Sequence, residues 1–401
     1  MYYRLVRAFI PLLIIMITFA FQGLLNNQGP NVVLDIYYQA GNAFIDGLNP
    51  YDITLVRGPF GQFKNSPFFA LLMAGMSKPE SQMTVVRLWV LLGMSTCIIA
   101  LNRWYRLSKK KPLYIAFAYC AALLDLIVSL SANQSNALIV GLALLGIAEY
   151  RDGRYFWSGV LLMLATNLKP YPIIFLFSLA LLFRPNYWLG AIISGAILFV
   201  LPAFFVGWPQ NIDTHLAWFR VLINDSNGIH IMDLVATLYR AKHSTLALIL
   251  RWCLIVISTP LLFLYLPLSH FVGNKINWRV WISIGLTSIV LLSPRTEVFT
   301  YVVVAPSYLL LTSWFADRNN RTLQLTGGVG ATCLALAIAS CRFIDPYWHV
   351  SESPFQLIRS LGAFGLWGIA VAIIVNDLVR AFRGAGNRTG GSPIVRPCKV
   401  A

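Results

Sequence analysis

The chain has 401 residues, of which 58% are hydrophobic and only 11% charged, and its mean hydropathy is +0.68. Soluble domains carry roughly 25% charged residues, so a set of soluble domains is excluded. The net charge of +16 invites a nucleic-acid reading, but membrane topology accounts for it better.

The first apolar run, 5–25, follows Arg4 and contains Arg7. It is long enough to span a bilayer and no small-x-small cleavage site follows it, so it reads as a transmembrane helix and not a secretory signal. The segment after it, NVVLDIYYQAGNAFIDGLNPYD, has helical periodicity from Val33 to Phe44, with Val33, Ile36, Tyr37, Ala40 and Phe44 on one face. That pattern predicts a short amphipathic helix at the membrane surface. Asp46-Gly47 stops it and Asn49-Pro50 turns the chain. Residues 66–76 form a further short apolar piece.

Runs of spanning character then cover 82–101, 113–130, 187–206, 244–268, 280–292, 298–316, 322–341 and 356–379. Three shorter stretches, 134–149, 155–168 and 171–183, lie between. The expectation is an all-α polytopic membrane protein of about twelve spans, several of them shorter than the roughly 20 residues of a straight crossing. One membrane domain fills 1–380, with long loops at 26–65, 207–243 and 342–355 on one side; 381–401 is a basic, Gly-rich tail expected to be disordered.

Alternating the spans puts 1–4, 102–112, 149–154, 184–186, 269–279, 317–321 and 380–401 on the opposite side, where most of the Lys and Arg collect. By the positive-inside pattern that side, with both termini, is cytoplasmic. Of the fifteen acidic residues only Glu149, Asp152, Asp317 and Asp377 fall there. The rest lie outside or in the outer half of a span, which points to chemistry on the outer face.

The six cysteines form no C-x-x-C pair, and most fall in apolar runs, where Cys acts as a small hydrophobe. No metal site and no cofactor is implied, and the Walker, Rossmann and H-E-x-x-H patterns are absent.

The residues able to carry chemistry sit at breaks in the apolar pattern. Asp35, near a helix start, either compensates the helix dipole or serves as a base in a cleft against the membrane. Asp46 and Asp52 flank turns. Asp125 lies inside a span, where a carboxylate is by default a functional hypothesis, unless it is protonated or pairs with a buried partner such as Lys169. The stretch SLSANQSNAL (129–138) interrupts two apolar runs. Gln134 and Asn136 suit hydroxyl-rich ligands, while Ser131 and Asn133 also suit helix capping. Lys169, before a helix-breaking proline, either snorkels or meets an anion. In LLSPRTEVFTY (291–301), Ser293 and Pro294 suit a helix start and place Arg295 beside free N–H groups, a candidate anion site.

The order of these features resembles glycosyltransferase family 87, the polyprenyl-phosphate-mannose-dependent mannosyltransferases of the GT-C superfamily. The residues that carry the resemblance are an Asp-x-Tyr-Tyr helix, Asp-Gly-Leu-Asn-Pro-Tyr-Asp (46–52), Asn-Ser-Pro-Phe (65–68), Asn-Gln-Ser-Asn (133–136), Asn-Leu-Lys-Pro-Tyr-Pro (167–172) and Leu-Ser-Pro-Arg-Thr (292–296). The resemblance implies a GT-C-like bundle with short outer helices in a bacterial plasma membrane. It implies inverting transfer of a hexosyl group, typically mannosyl, from a polyprenyl-phosphate donor to a glycolipid or glycan acceptor. Asp35 matches the family's catalytic aspartate, Lys169 and Arg295 are the expected partners of the donor phosphate, and Tyr38, Asp46, Asn133, Gln134, Asn136 and Glu297 are further sugar or acceptor contacts. In one departure, Phe299 and Thr300 stand near where many members carry paired histidines. The rival expectation, from a different class, is a transporter or flippase of a lipid-linked glycan; no repeat pairs the two halves of the chain, as transporters often show.

Overall fold

The computed structural model describes residues 32–56, 63–75, 82–110, 112–224, 243–292, 298–344 and 354–386. Among the described residues the chain is helical throughout, with no strand. In order come α1 (Val32–Ile45), α2 (Pro67–Ala74), α3 (Gln82–Tyr105), α4 (Leu113–Ser131), α5 (Asn136–Arg151), α6 (Tyr155–Leu168), α7 (Ile173–Ala180) and α8 (Pro185–Val206). There follow α9 (Trp208–Asn224), α10 (Ser244–Phe263), α11 (Tyr265–Phe271), α12 (Trp278–Leu292), a 3-10 helix (Val298–Val303), α13 (Ala305–Ala316), α14 (Arg321–Ile344) and α15 (Pro354–Gly386).

Six segments of the described residues are long and apolar enough to cross a membrane: Arg87–Tyr105, Leu113–Ser131, Pro185–Val206, Ser244–Phe271, Arg321–Ala339 and Leu357–Arg383. The run at 5–25 lies outside the described residues. Several other expected spans are real helices but short ones. At 1.5 Å per residue a 15-residue helix such as α12 reaches about 22 Å, less than the roughly 30 Å of hydrocarbon. These short helices are covered by protein instead of lipid. Every residue of α13, and every residue of α12 from Val280 to Leu291, is buried. By contrast α8 and α10 expose Ile192, Ile197, Phe204, Trp252 and Val256, an apolar surface suited to lipid. Helix α15 continues to Gly386, past the expected start of the tail.

Close backbone approach holds two parts of the bundle together. A Cβ on Gly159 of α6 would stand 2.2 Å from the Tyr187 carbonyl oxygen, and one on Gly190 of α8 would stand 2.1 Å from that of Phe156. Small residues at facing positions let membrane helices pack at this range, where dispersion and not hydrophobicity drives association.

Among the described residues, the connections assigned to the basic side are tied to one another. At the basic pole, Arg103 of the first basic connection pairs with both Glu149 and Asp152, and Arg154 pairs with Glu149. The Asp317 carboxylate accepts from the backbone N–H of Lys109 and Lys110 and pairs with Arg279. Asn277 donates to Asp377. All four acidic residues assigned to this side therefore have partners from this side. The opposite pole gathers, among the described residues, 35–56, 63–65, 133–136, 167–169 and the helix after Gly207.

Asp125 does not pair with Lys169. It is 1% exposed, receives the Tyr308 hydroxyl at 2.7 Å and pairs with Arg359 Nη2 at 3.0 Å. Arg359 is equally buried, donates Nε to the Ile338 carbonyl and lies over the Tyr301 ring. A carboxylate in apolar surroundings is tolerable when a cation and donors meet it. This one fastens α4 to α13 and α15, a structural role that sequence spacing does not reveal.

Candidate functional site

The site pole is organised by Asn65. Ser66 has extended backbone and its hydroxyl accepts from the Phe69 N–H at 3.2 Å, while Pro67 occupies the first turn of α2. This Ser-Pro start is a favoured helix beginning, and it fixes the residue before it. The Asn65 amide donates to the Leu168 carbonyl at 2.9 Å and to Ser135 Oγ at 3.4 Å, and its own carbonyl receives the Tyr51 hydroxyl at 2.7 Å. One buried side chain thereby joins three of the sequence motifs: Asn-Ser-Pro, Asn-Gln-Ser-Asn and Asn-Leu-Lys-Pro.

The Asn-Gln-Ser-Asn turn breaks the chain between α4 and α5. Asn133 has a left-handed φ of 52°, a conformation Asn tolerates better than most side chains. The Trp89 indole donates to the Asn133 carbonyl at 3.3 Å. Asn133, Gln134, Ser135 and Asn136 are all buried. Ser131 does not cap: its hydroxyl donates back to the Val128 carbonyl, and Ser135, the residue before α5, makes no side-chain cap. Irregular backbone at this depth is permitted because protein surrounds it.

Lys169 is the extended residue that ends α6, as a residue before proline must be. Its ammonium donates to Asn136 Oδ1 at 3.1 Å and lies 5.9 Å from the Tyr171 ring centroid. The structure thus brings Asn133, Gln134, Asn136 and Lys169 into one junction.

Helix α1 docks on that junction. Ile36, Tyr37, Ala40 and Phe44 are buried, as the periodicity predicts. The Tyr37 and Ser135 hydroxyls are 3.3 Å apart, and the Tyr37 ring meets Phe69 edge-on at 4.9 Å. Gly41 sits where a Cβ would stand 2.5 Å from the Ala74 backbone nitrogen, so α1 and α2 are in backbone contact.

Asp35 and Tyr37 lie 200° apart on a helix of 3.6 residues per turn. Asp35 therefore lies on the other side of α1 from the Tyr37–Ser135 contact, on the stripe shared with the exposed Gln39 and Asn42. It is partly buried, and desolvation raises its pKa above the usual carboxylate value. Among the described residues no hydrogen bond or ion pair engages its carboxylate. Tyr38, one turn away on an adjoining stripe, is 6% exposed, and its buried hydroxyl has no hydrogen-bond partner among the described residues. Burial and the nearby Asp35 charge both raise the Tyr38 phenol pKa. A buried polar group without a partner is uncommon and calls for a reason; a ligand oxygen would satisfy it.

Asp46 is exposed just beyond α1. Asp52 accepts from both the N–H and the hydroxyl of Thr54, which hold its pKa down and close a local turn. Arg295 and Glu297 lie outside the described residues; Thr300 is buried in the 3-10 helix.

Sequence reasoning missed the roles of Asn65, Ser135, Tyr37 and Tyr51. Asn65 was visible as part of a motif, yet its contacts reach 70 and 103 residues along the chain. Tyr37 read as one member of an apolar face, and nothing in that periodicity indicates its hydroxyl contact.

No curated protein matches the chain. A family model, Glycosyltransferase family 87, matches residues 63–294. The matched stretch begins two residues before Asn65 and takes in the whole Asn65–Ser135–Lys169 junction, while α1 precedes it. Covering more than half of the 401 residues, the match shows that this helical, membrane-span-bearing chain belongs to glycosyltransferase family 87.

Proposed function

We propose that this glycosyltransferase moves a hexosyl group, mannosyl first among the choices, from a polyprenyl-phosphate donor to a glycolipid or glycan acceptor. The reaction takes place at the outer face of a bacterial plasma membrane, within a GT-C-like bundle that fills 1–380 and has both termini in the cytoplasm. The observation that carries this reading is the Asn65-centred junction: it falls within the family match, and against it docks a helix bearing Asp35, partly buried and without a partner among the described residues.

Asp35 is the general base. It takes the proton of the acceptor hydroxyl as that oxygen bonds to the anomeric carbon. The bond from that carbon to the phosphate oxygen breaks on the opposite face, so the configuration inverts, and polyprenyl phosphate departs with the electron pair. Lys169 and Arg295 offset the charge that grows on the leaving phosphate, the type of electrostatic stabilisation with the largest effect in such sites. Tyr38, Asp46, Asn133, Gln134, Asn136 and Glu297 are the proposed contacts to sugar or acceptor. A raised Asp35 pKa suits this role, because a base works best when its pKa approaches the working pH.

The test uses purified full-length protein in lipid nanodiscs with radiolabelled polyprenyl-phosphate mannose, the glucose equivalent, and alkyl glycosides as acceptors. Labelled product with inverted anomeric configuration from the mannose donor supports the proposal. Transfer from nucleotide sugars alone, or retention of configuration, would refute it.

A further inference from the structure

Helix α9 has three distinct faces. Asn211, Thr214, His215 and Trp218 are buried against the bundle. Asp213, Arg220 and Asn224 are exposed on a polar face. Between these, Trp208, Ile212, Leu216, Phe219 and Ile223 form a stripe spaced by four, four, three and four residues, each of them 46–76% exposed. By helical geometry the five fall within about 80° of arc. A stripe this regular is not the scatter of single apolar residues that any surface shows.

The surroundings of α9 say what covers the stripe. Helix α9 follows the apolar span α8 with only Gly207 between them, and Phe204 and Phe205 at the end of α8 are themselves 79% and 64% exposed. The lipid-facing surface of α8 therefore runs directly into Trp208. The helix is anchored back onto that span: Pro202 loosens the α8 hydrogen-bond ladder, and Asn211 Nδ2 donates to the Phe199 carbonyl at 3.0 Å. Crossing the bilayer would place Asp213 and Arg220 in hydrocarbon, at a cost of several kcal/mol. Full exposure to water would leave five large apolar side chains uncovered.

We propose that α9 lies in the plane of the membrane surface, with the Trp208–Ile223 stripe inserted among the lipid acyl chains and its polar face toward water. Such a helix buries its apolar face roughly 5–10 Å into the boundary between headgroups and chains, and Trp is favoured at that level. The inner face of α9 then fixes the site to the lipid surface. The Trp218 indole donates to the Lys64 carbonyl at 2.9 Å, one residue before Asn65. The lipid placement stands independently of which sugar is moved.

The experiment incorporates a genetically encoded fluorescent side chain, one position at a time, into the full chain in nanodiscs. The stripe positions are 212, 216 and 219; the comparison positions are 213, 220 and 224. Each is quenched in turn by lipids brominated near the top of the acyl chain and by aqueous iodide. The proposal predicts strong lipid quenching with severalfold weaker iodide quenching at 212, 216 and 219, and the reverse at 213, 220 and 224. Iodide quenching as strong at the stripe as at the polar face would overturn it, since the stripe would then face water. Protection of the stripe from both quenchers would overturn it too, because a protein surface would then be the occupant.

Discussion

The Asp125–Arg359 pair gives the most quantitative prediction. Arg359 has its partners complete in the native state: Asp125, the Ile338 carbonyl and the Tyr301 ring at 4.8 Å. In Asp125→Ala the last two remain but neither is new, so nothing offsets the loss of the counter-charge. A cation 1% exposed then stands uncompensated, and the expected destabilisation is about 3–5 kcal/mol. At 4 kcal/mol that is roughly a thousandfold shift in the unfolding equilibrium. Arg359→Ala falls in the same range. The double variant Asp125→Leu with Arg359→Met removes both charges and fills much of the volume, so it recovers part of the loss, because desolvating the pair costs nearly as much as the pairing gains, while the Tyr308 hydroxyl is left without its acceptor. The assay is reversible SDS unfolding in mixed micelles, followed by tryptophan fluorescence and helical circular dichroism. A single-variant loss below about 1 kcal/mol, or a double variant as unstable as the sum of the two singles, would refute the account of this pair.

Tyr38→Phe removes a buried hydroxyl that has no partner among the described residues, so thermal stability is expected to hold or rise, while the acceptor KM rises severalfold; a fall in Tm with unchanged kinetics would assign Tyr38 to packing alone. Gly190→Ala drives a methyl into the Phe156 carbonyl and is expected to cost about 1–3 kcal/mol, read in the same unfolding assay; no measurable loss would contradict the α6–α8 contact. The Asp35 pKa is raised by burial, so kcat/KM is expected to rise with pH through a value above the usual carboxylate pKa and then level off, as seen in initial rates across pH. The linked stability effect has the opposite slope. Between the unfolded and the folded pKa the native state binds more protons, so stability falls as pH rises through that window, and Asp35→Asn is expected to match or exceed wild-type stability at neutral pH.

Much of the fold was legible because the bilayer imposes simple rules. The α1 helix, its buried face, the break at 133–136 and the segregation of Glu149, Asp152, Asp317 and Asp377 to one pole all follow from periodicity, turn residues and charge. Span number was less legible. Apolar composition does not distinguish a helix wrapped by lipid from one wrapped by protein, and α12 and α13 are of the second kind. Partner choice was not legible at all. Asp125 finds Arg359 across 234 residues, and neither span carries a mark of the other. The site was read as a set of motifs, whereas Asn65 and Ser135, which bind those motifs together, were assigned no role. The sequence reads 207–243 as a long polar loop and hides helix α9, since its apolar stripe is interleaved with Asp213, His215 and Arg220.

In the proposed mechanism Asp35 removes the acceptor proton while Lys169 serves the donor phosphate. Single-turnover transfer from polyprenyl-phosphate mannose in nanodiscs, comparing wild type, Asp35→Asn and Lys169→Met, tests it most directly. Asp35→Asn is expected to abolish the pH-dependent transfer step while donor binding is retained, and Lys169→Met to weaken donor binding. Wild-type transfer rates in Asp35→Asn, with an unchanged pH profile, would contradict it.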